Sequence, residues 1–296
     1  MKLTQRVVII LLLVTPVITG VTLLLRQHRF SGGSAGSVAF KKLGEVRIEG
    51  AIFESRTAVR QLQELRNDRS VAGVLLRIDS PGGATAPSQE IYQAVRGFQS
   101  GSKPLVVSMG NVAASGGYYI ASPAKKIFAA PGTLTGSIGV IMTVPIYQEL
   151  AKKIGIEMQT YKAGNFKDIA SPYRSMSPKE KQMIQELLDD THDQFINDVA
   201  QARSLDVNSL RLMADGRIFT GRQAVKADLV DTLGGYEAAL AYLRSITGVG
   251  PAARVINKRE SSMKMRDWLI EECIRFFPQL YRLFAPMGMH CFAVFE

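Results

Sequence analysis

Twice in the first half of the chain a run of strand-forming residues ends in a pair of glycines. AGVLLRIDS (72–80) runs into Pro81-Gly82-Gly83, and PLVVSMG (104–110) leads through NVAAS into Gly116-Gly117. Each pair opens a stretch with helical spacing, first SQEIYQAVRGFQ, where Ile91, Ala94, Val95 and Phe98 share a face, then YYIASPA. Strand signals at VRIEGAIF (46–53) and KKIFAA (125–130), and a helix at TAVRQLQELRND (57–68), complete a βαβα rhythm. That rhythm predicts a mainly parallel α/β sheet with right-handed crossovers. In such sheets chemistry gathers where loops leave the carboxyl ends of strands, and both glycine turns fall at such ends.

Further on, Ser177-Pro178-Lys179-Glu180 reads as a capping box with proline at the first helical position. The helix it starts is expected to run to about Arg203, with Met183, Leu187, Phe195 and Val199 towards the core. ADGRIFTGRQAVKADLVDTLGG (214–235) reads as strand, short helix and turn, closed by a helix over YEAALAYLRSIT.

The ends have a different character. Lys2 and Arg6 precede 19 uncharged, mostly apolar residues that stop at Arg26, about 28 Å as a helix and so roughly one bilayer core. A cleaved leader competes with this reading, but the apolar stretch is long for one, and Arg26, His28 and Arg29 stand before the small residues Ser34-Ala35-Gly36. The expectation is therefore an uncleaved anchor and cytoplasmic tip over 1–29, a Gly/Ser linker over 30–44, a catalytic domain over 45–248 and a tail over 249–296. In the tail Trp268, Cys273, Phe277, Leu280 and Phe284 recur at near-helical spacing among Arg266, Arg275 and Arg282, which fits an interfacial basic helix, a partner-binding element or a terminal helix covering the core.

The net charge of +10 is spread along the chain without aromatic interleaving, which favours a membrane surface over nucleic acid. The two cysteines, Cys273 and Cys291, both lie in the tail, so no disulfide framework supports the main fold and no Cys/His spacing suggests zinc.

Ser115 is the candidate nucleophile, and such a serine needs a base and donors for the oxyanion. The three histidines are poorly placed to act as that base. His28 abuts the anchor, His192 lies inside the long helix and His290 is in the tail. A Ser-His-Asp triad is thus disfavoured, and the G-x-S-x-G elbow is absent, since Ser115 follows Ala-Ala. A lysine can replace histidine where burial disfavours its ammonium form. Lys125, Lys126, Lys162 and Lys167 are all candidates on spacing alone.

Five ordered blocks carry a resemblance: DSPGG at 79–83, MGNVAASGGYYIA at 109–121, TLTGSIGV at 133–140, KAGNFKDIASPYRSMSPKEK at 162–181 and ADGRIFTGRQA at 214–224. Together, over about residues 45–245, they resemble the short form of the signal peptide peptidase A (protease IV) family. The resemblance implies a Clp-protease and crotonase-like fold of repeated β-β-α units behind one transmembrane helix, and a Ser-Lys dyad serine protease. It casts Ser115 as nucleophile, Lys167 as general base, Ser137 as the serine that orients the lysine, and the N–H groups of Gly83 and Gly116 as the oxyanion hole. No metal or other cofactor is implied.

The implied substrates are signal peptides left in the membrane and other unfolded or hydrophobic peptides. The implied setting is a ring-shaped homo-oligomer, with an octamer as the candidate size, whose sites can combine serine and lysine from neighbouring subunits. The short basic N-terminus before the anchor gives the expectation of a single-pass cell-membrane protein with its catalytic domain on the extracytoplasmic side. Two other classes compete: a catalytically silent membrane scaffold of the same fold, opposed by the presence of both Ser115 and Lys167, and a crotonase-like acyl-CoA enzyme, opposed by the anchor and the nucleophile.

Overall fold

The computed structural model describes residues 41–257 and 293–294. The anchor, the first part of the linker and nearly all of the tail, including both cysteines, lie outside the described residues. Among the described residues no helix is long and apolar enough to cross a membrane.

The chain alternates as the sequence predicts. Strand β1 (Lys42–Glu49) is followed by α1 (Arg56–Asn67), β2 (Val71–Ser80), α2 (Thr85–Arg96), β3 (Leu105–Ala114), α3 (Gly116–Ala121) and β4 (Lys126–Ala129). Two short strands, β5 (Leu134–Gly136) and β6 (Ile141–Met142), lead to α4 (Gln148–Lys153) and the long α5 (Pro178–Arg203). The remainder is α6 (Val207–Arg211), β7 (Ile218–Thr220), α7 (Gly221–Lys226), β8 (Thr232–Leu233), α8 (Tyr236–Thr247) and β9 (Val255–Asn257). Ala293–Val294, here β10, pairs antiparallel with β6.

One sheet runs in the order β7-β5-β3-β2-β1-β9, with β4 and β8 branching from β3. Every pairing in it is parallel except β5 with β7. The branch arises because β3 is long: Val106, Val107 and Ser108 pair with β4, whereas Val112, Ala113 and Ala114 pair with β5. Sequence alone ends this strand at Gly110. It continues because an irregularity re-aims it, two steps of β2 (Ile78 to Ser80) facing four of β3 (Met109 to Ala113). The Asp79 carboxylate fills that bulge and accepts the Val112 N–H at 3.1 Å. Gly110 is required beneath it, since a Cβ there would lie 2.5 Å from Asp79 Cγ.

Helices cover both faces, which is why β2 reads as an unbroken apolar run. Val74, Leu76 and Ile78 point into the larger core, with Leu62 and Leu65 of α1, Ile91 and Val95 of α2, and Phe195 and Val199 of α5. Leu75 points the other way, against Leu43, Val106 and α8 residues Leu240 and Leu243. An aromatic cluster ties three helices together: the Tyr92 and Tyr119 rings stack at 4.5 Å, and Phe195 meets Tyr119 edge-on at 5.0 Å.

The capping box forms, with Ser177 Oγ accepting from Glu180 N and Glu180 Oε2 from Ser177 N. Of the four residues expected towards the core, Met183, Leu187, Phe195 and Val199, only the last two are there. Phe195 and Val199 are fully buried, but Met183 and Leu187 are 38% and 53% exposed. The apolar periodicity continues along the helix, but residues 181–190 are all exposed or half-buried, so this part of the helix does not face the core. Phe195→Ala is therefore expected to cost about 3–5 kcal/mol by denaturant unfolding of the isolated chain. Leu187→Ala, at the same spacing on the same helix, is expected to stay within about 0.5 kcal/mol.

Candidate active site

The carboxyl ends of β2, β3 and β5 bring four of the five predicted site residues together. Ser115 directly follows β3 with φ 51° and ψ −120°, the conformation of the first central residue of a type II′ turn, which is normally glycine's. It is held there by two backbone bonds, its own N–H to the Gly136 carbonyl and the Tyr119 N–H to its carbonyl, both 2.8 Å. The side chain is fully buried, and Oγ has no hydrogen-bond partner among the described residues. The hydroxyl thus caps no helix, although the residue stands at the N-cap of α3.

Beside it, the Pro81-Gly82-Gly83 turn is pinned to Ile52. Ile52 N donates to Gly82 O at 2.8 Å, and Ala84 N to Ile52 O at 2.7 Å. Gly83 can be nothing larger, because a Cβ would sit 2.2 Å from the Ile52 carbonyl oxygen. Gly116 is equally confined: its Cβ would lie 2.6 Å from Ser88 Oγ and 3.4 Å from the Gly83 nitrogen. The Gly83 and Gly116 backbones therefore lie side by side, and neither N–H has an acceptor among the described residues. Two free amide donors next to a buried, unpartnered hydroxyl can bind the oxygen of a carbonyl under attack.

Ser137, with φ 52°, follows the Gly136 that receives the Ser115 N–H, and its own N–H donates to Arg217 O at 2.9 Å. Supports that sequence reasoning missed surround this turn. Thr133 and Thr135 hydroxyls bond the carbonyls of Gly110 and Ala113 at 2.8 and 2.6 Å, and His192 Nε2 contacts Ile138 O at 3.2 Å. His192 thus steadies the loop after Ser137 from α5. Behind α3, Tyr119 Oη donates to the Asp198 carboxylate. Burial first, then this bond, pushes the phenol well above its ordinary range and keeps it a donor.

Lys167 is not joined to this group by any hydrogen bond among the described residues. It lies on the exposed segment between α4 and α5, and no hydrogen bond joins it to Ser115. Two of the other lysine candidates are engaged: Lys162 pairs with Asp168, and Lys126 lies 4.7 Å from the Tyr242 ring centroid. Among the described residues Lys167 Nζ has no hydrogen-bond or ion-pair partner. Around it runs a network that the sequence did not announce, Lys162–Asp168–Arg174–Glu180. Hydrogen bonds from Arg174, then from Lys162, hold the Asp168 carboxyl well below the usual range; Arg174, then the Ser177 N–H, bring Glu180 down to about 2. Its residues recur at intervals of six, mostly along turns and bends, where no regular period fixes side-chain direction, so spacing carried no signal.

A strained buried serine flanked by free backbone amides, at the strand ends of a parallel α/β sheet, has the arrangement that a hydrolytic site built on a nucleophile and oxyanion donors requires. Comparison with known proteins makes this specific. Residues 97–250 match the model of peptidase family S49. A Synechocystis sp. protein that carries a protease name (slr0021) is 41% identical over 212 residues, 71% of this chain and 76% of that protein. An Enterococcus faecium protein named for signal peptide peptidase SppA is 38% identical over 73% of this chain and 63% of its own length. Protease 4 of Salmonella typhi is 36% identical over 62% of this chain, which spans 30% of that protein. The chain belongs to peptidase family S49.

Two outcomes follow from the geometry. Ser115→Gly, which relieves the positive φ, is expected to raise unfolding stability by about 1 kcal/mol while Ser115→Ala does not, as read by denaturant titration. Because Asp168 and Glu180 are lowered in the folded chain, their contribution is complete above about pH 4.5 and is lost as the pH falls towards about 2. The melting temperature of wild type should therefore fall more steeply across that window than that of Glu180→Gln.

Proposed function

We propose that the chain is a membrane-tethered serine endopeptidase whose substrates are signal peptides remaining after preprotein processing and other unfolded or hydrophobic peptides. The observation that carries the reading is the buried Ser115 Oγ, without a partner, in a strained turn beside the free amides of Gly83 and Gly116. Membership of family S49 and the SppA and protease 4 names of its relatives support the same activity. The Clp-protease-like fold implied by the resemblance is compatible with the observed sheet.

In this reading Ser115 Oγ attacks the scissile carbonyl, and its proton passes to Lys167. The carbonyl oxygen becomes an oxyanion held by the Gly83 and Gly116 N–H groups, and removal of one such donor typically costs about 2.7–4 kcal/mol of transition-state stabilisation. The lysine then gives its proton to the leaving amine, and a water activated by the same lysine releases the acyl group. Ser137 orients the lysine.

A lysine base has to be kept dry, and Lys167 is exposed in the single chain. Its proper surroundings then come from assembly, with Lys167 of one subunit serving Ser115 of the next in a ring-shaped homo-oligomer. The N-terminal anchor raises the effective concentration of membrane-released peptide at the site, with the catalytic domain on the extracytoplasmic side.

Treatment of the purified, assembled protein with a serine-directed fluorophosphonate tests this directly. Ser115 should carry the adduct, and Lys167→Ala should lose it by at least about 100-fold, the scale of general-base catalysis. A correctly assembled wild type that takes no label would sink the reading. Mixed assemblies of Ser115→Ala and Lys167→Ala chains should regain part of the activity if the dyad is shared between subunits.

A further inference from the structure

We propose that Arg174 is a positioning residue for Lys167, acting through Asp168, so that one guanidinium sets where the catalytic amine stands. The inference rests on the Ser115–Lys167 reading above and goes beyond it by naming what places the lysine.

The segment around Lys167 owes its placement to few connections. Among the described residues, every hydrogen bond made by residues 162–171 ends within residues 162–180; none reaches the sheet. Inside the segment the backbone folds on itself, with Lys167 N bonding Gly164 O at 3.2 Å and Ile169 N bonding Phe166 O at 3.1 Å. Lys162 closes this small loop by reaching Asn165 O at 3.0 Å and the Asp168 carboxylate. Those contacts shape the loop but tie it to nothing else.

Arg174 supplies the side-chain tie, beside one backbone bond just past the segment, from Tyr147 N to Pro172 O at 2.6 Å. Its Nε donates to Asp168 Oδ2 at 2.8 Å and its Nη2 to Asp168 O at 3.2 Å. The other edge of the same guanidinium grips both oxygens of Glu180, with Nη1 2.9 Å from Oε2. Glu180 is 4% exposed and is itself fixed at the first turn of α5 by the capping box with Ser177. Further along, α5 is anchored in the core by Phe195 and Val199.

A chain of charge-assisted bonds thus runs from the buried part of the fold through α5, Glu180, Arg174 and Asp168 to the residue next to Lys167. Lys179 adds a weaker contact, 5.3 Å from the Phe166 ring centroid on the other side of Lys167. The arrangement also decides which lysine is free: Lys162 is taken by Asp168 and Lys179 faces an aromatic ring, leaving Lys167 Nζ available. Arginine is needed because a planar fork bonds two carboxylates at once, whereas an ammonium on a flexible stem is a point charge.

Displacing a catalytic group by about 1 Å can cost on the order of 100-fold in rate. In the full-length assembled enzyme, Arg174→Gln is therefore expected to slow fluorophosphonate acylation of Ser115 by roughly 10–100-fold per active site. The rate is counted against the sites that label at completion, so that loss of assembled enzyme does not mimic slow chemistry. KM for a peptide substrate should change by less than about twofold, with the loss in kcat, and Arg174→Lys should restore part of the rate.

Should Arg174→Gln assemble poorly, Asp168→Asn removes the bridging carboxylate while leaving the Arg174–Glu180 pair and the capping box, and the same slowing is expected. Per-site rates within twofold of wild type in both variants overturn the proposal. Lys167→Met separates this from the underlying reading: if that variant labels at the wild-type rate, Lys167 is not the base and the dyad itself fails.

Discussion

Holding Ser115 at φ 51° and ψ −120° costs of order 1–3 kcal/mol, and the strain persists because the surroundings permit nothing else. Gly136 O receives its N–H, Tyr119 N binds its carbonyl, and Thr135 Oγ1 fixes the preceding strand through Ala113 O. Tyr119 is in turn packed between Tyr92 and Phe195 and hydrogen-bonded to Asp198, so α3 cannot rotate to release the turn. The same constraint accounts for the small residues near it. With the serine elbow set, the backbones of Gly83 and Gly116 come within contact distance, and a Cβ on either would enter occupied space.

The bulge in β3 is the second consequence. A strand in strict register with β2 would end Ser115 elsewhere; the extra residues between Met109 and Ala113 carry the chain to the β5 edge, where the Ser115 N–H finds its acceptor. Asp79 belongs to the same DSPGG segment that supplies Gly83. Its carboxylate fills the bulge while its carbonyl accepts from Gly50 N at 3.0 Å, so one short segment shapes both sides of the site.

The alternation of strands and helices, the two glycine turns and the capped helix were legible because each depends on local chemistry: apolar runs, positive-φ residues and capping groups. Ser115, Gly83, Gly116 and Ser137, drawn from three separate blocks of sequence, lie at neighbouring strand ends. Three things were not legible. The burial of α5 was overstated at Met183 and Leu187, because periodicity reports a face and not what lies opposite it. The length of β3 was understated, because the bulge depends on Asp79 across the sheet. The Asp168–Arg174–Glu180 network was missed, because irregular segments offer no period against which to read charge.

The two halves of the proposed dyad differ in how they are held. Ser115 is fixed by sheet pairing, buried rings and steric exclusion, all of which are cooperative with the core. Lys167 hangs from charge-assisted bonds made through the first turn of α5, and the stretch of chain that precedes it exposes Ile146, Leu150, Ile154, Ile156 and Met158. An exposed lysine gains little by rigid burial in one chain, because the water around it would still favour its ammonium form. If a second subunit covers it, the same stretch of α5 that leaves Met183 and Leu187 exposed becomes the means of carrying the lysine to a partner. Under the proposed dyad the nucleophile is preorganised in every chain while the base is completed by assembly, so an unassembled chain keeps the strained serine while its own Lys167 stays solvated.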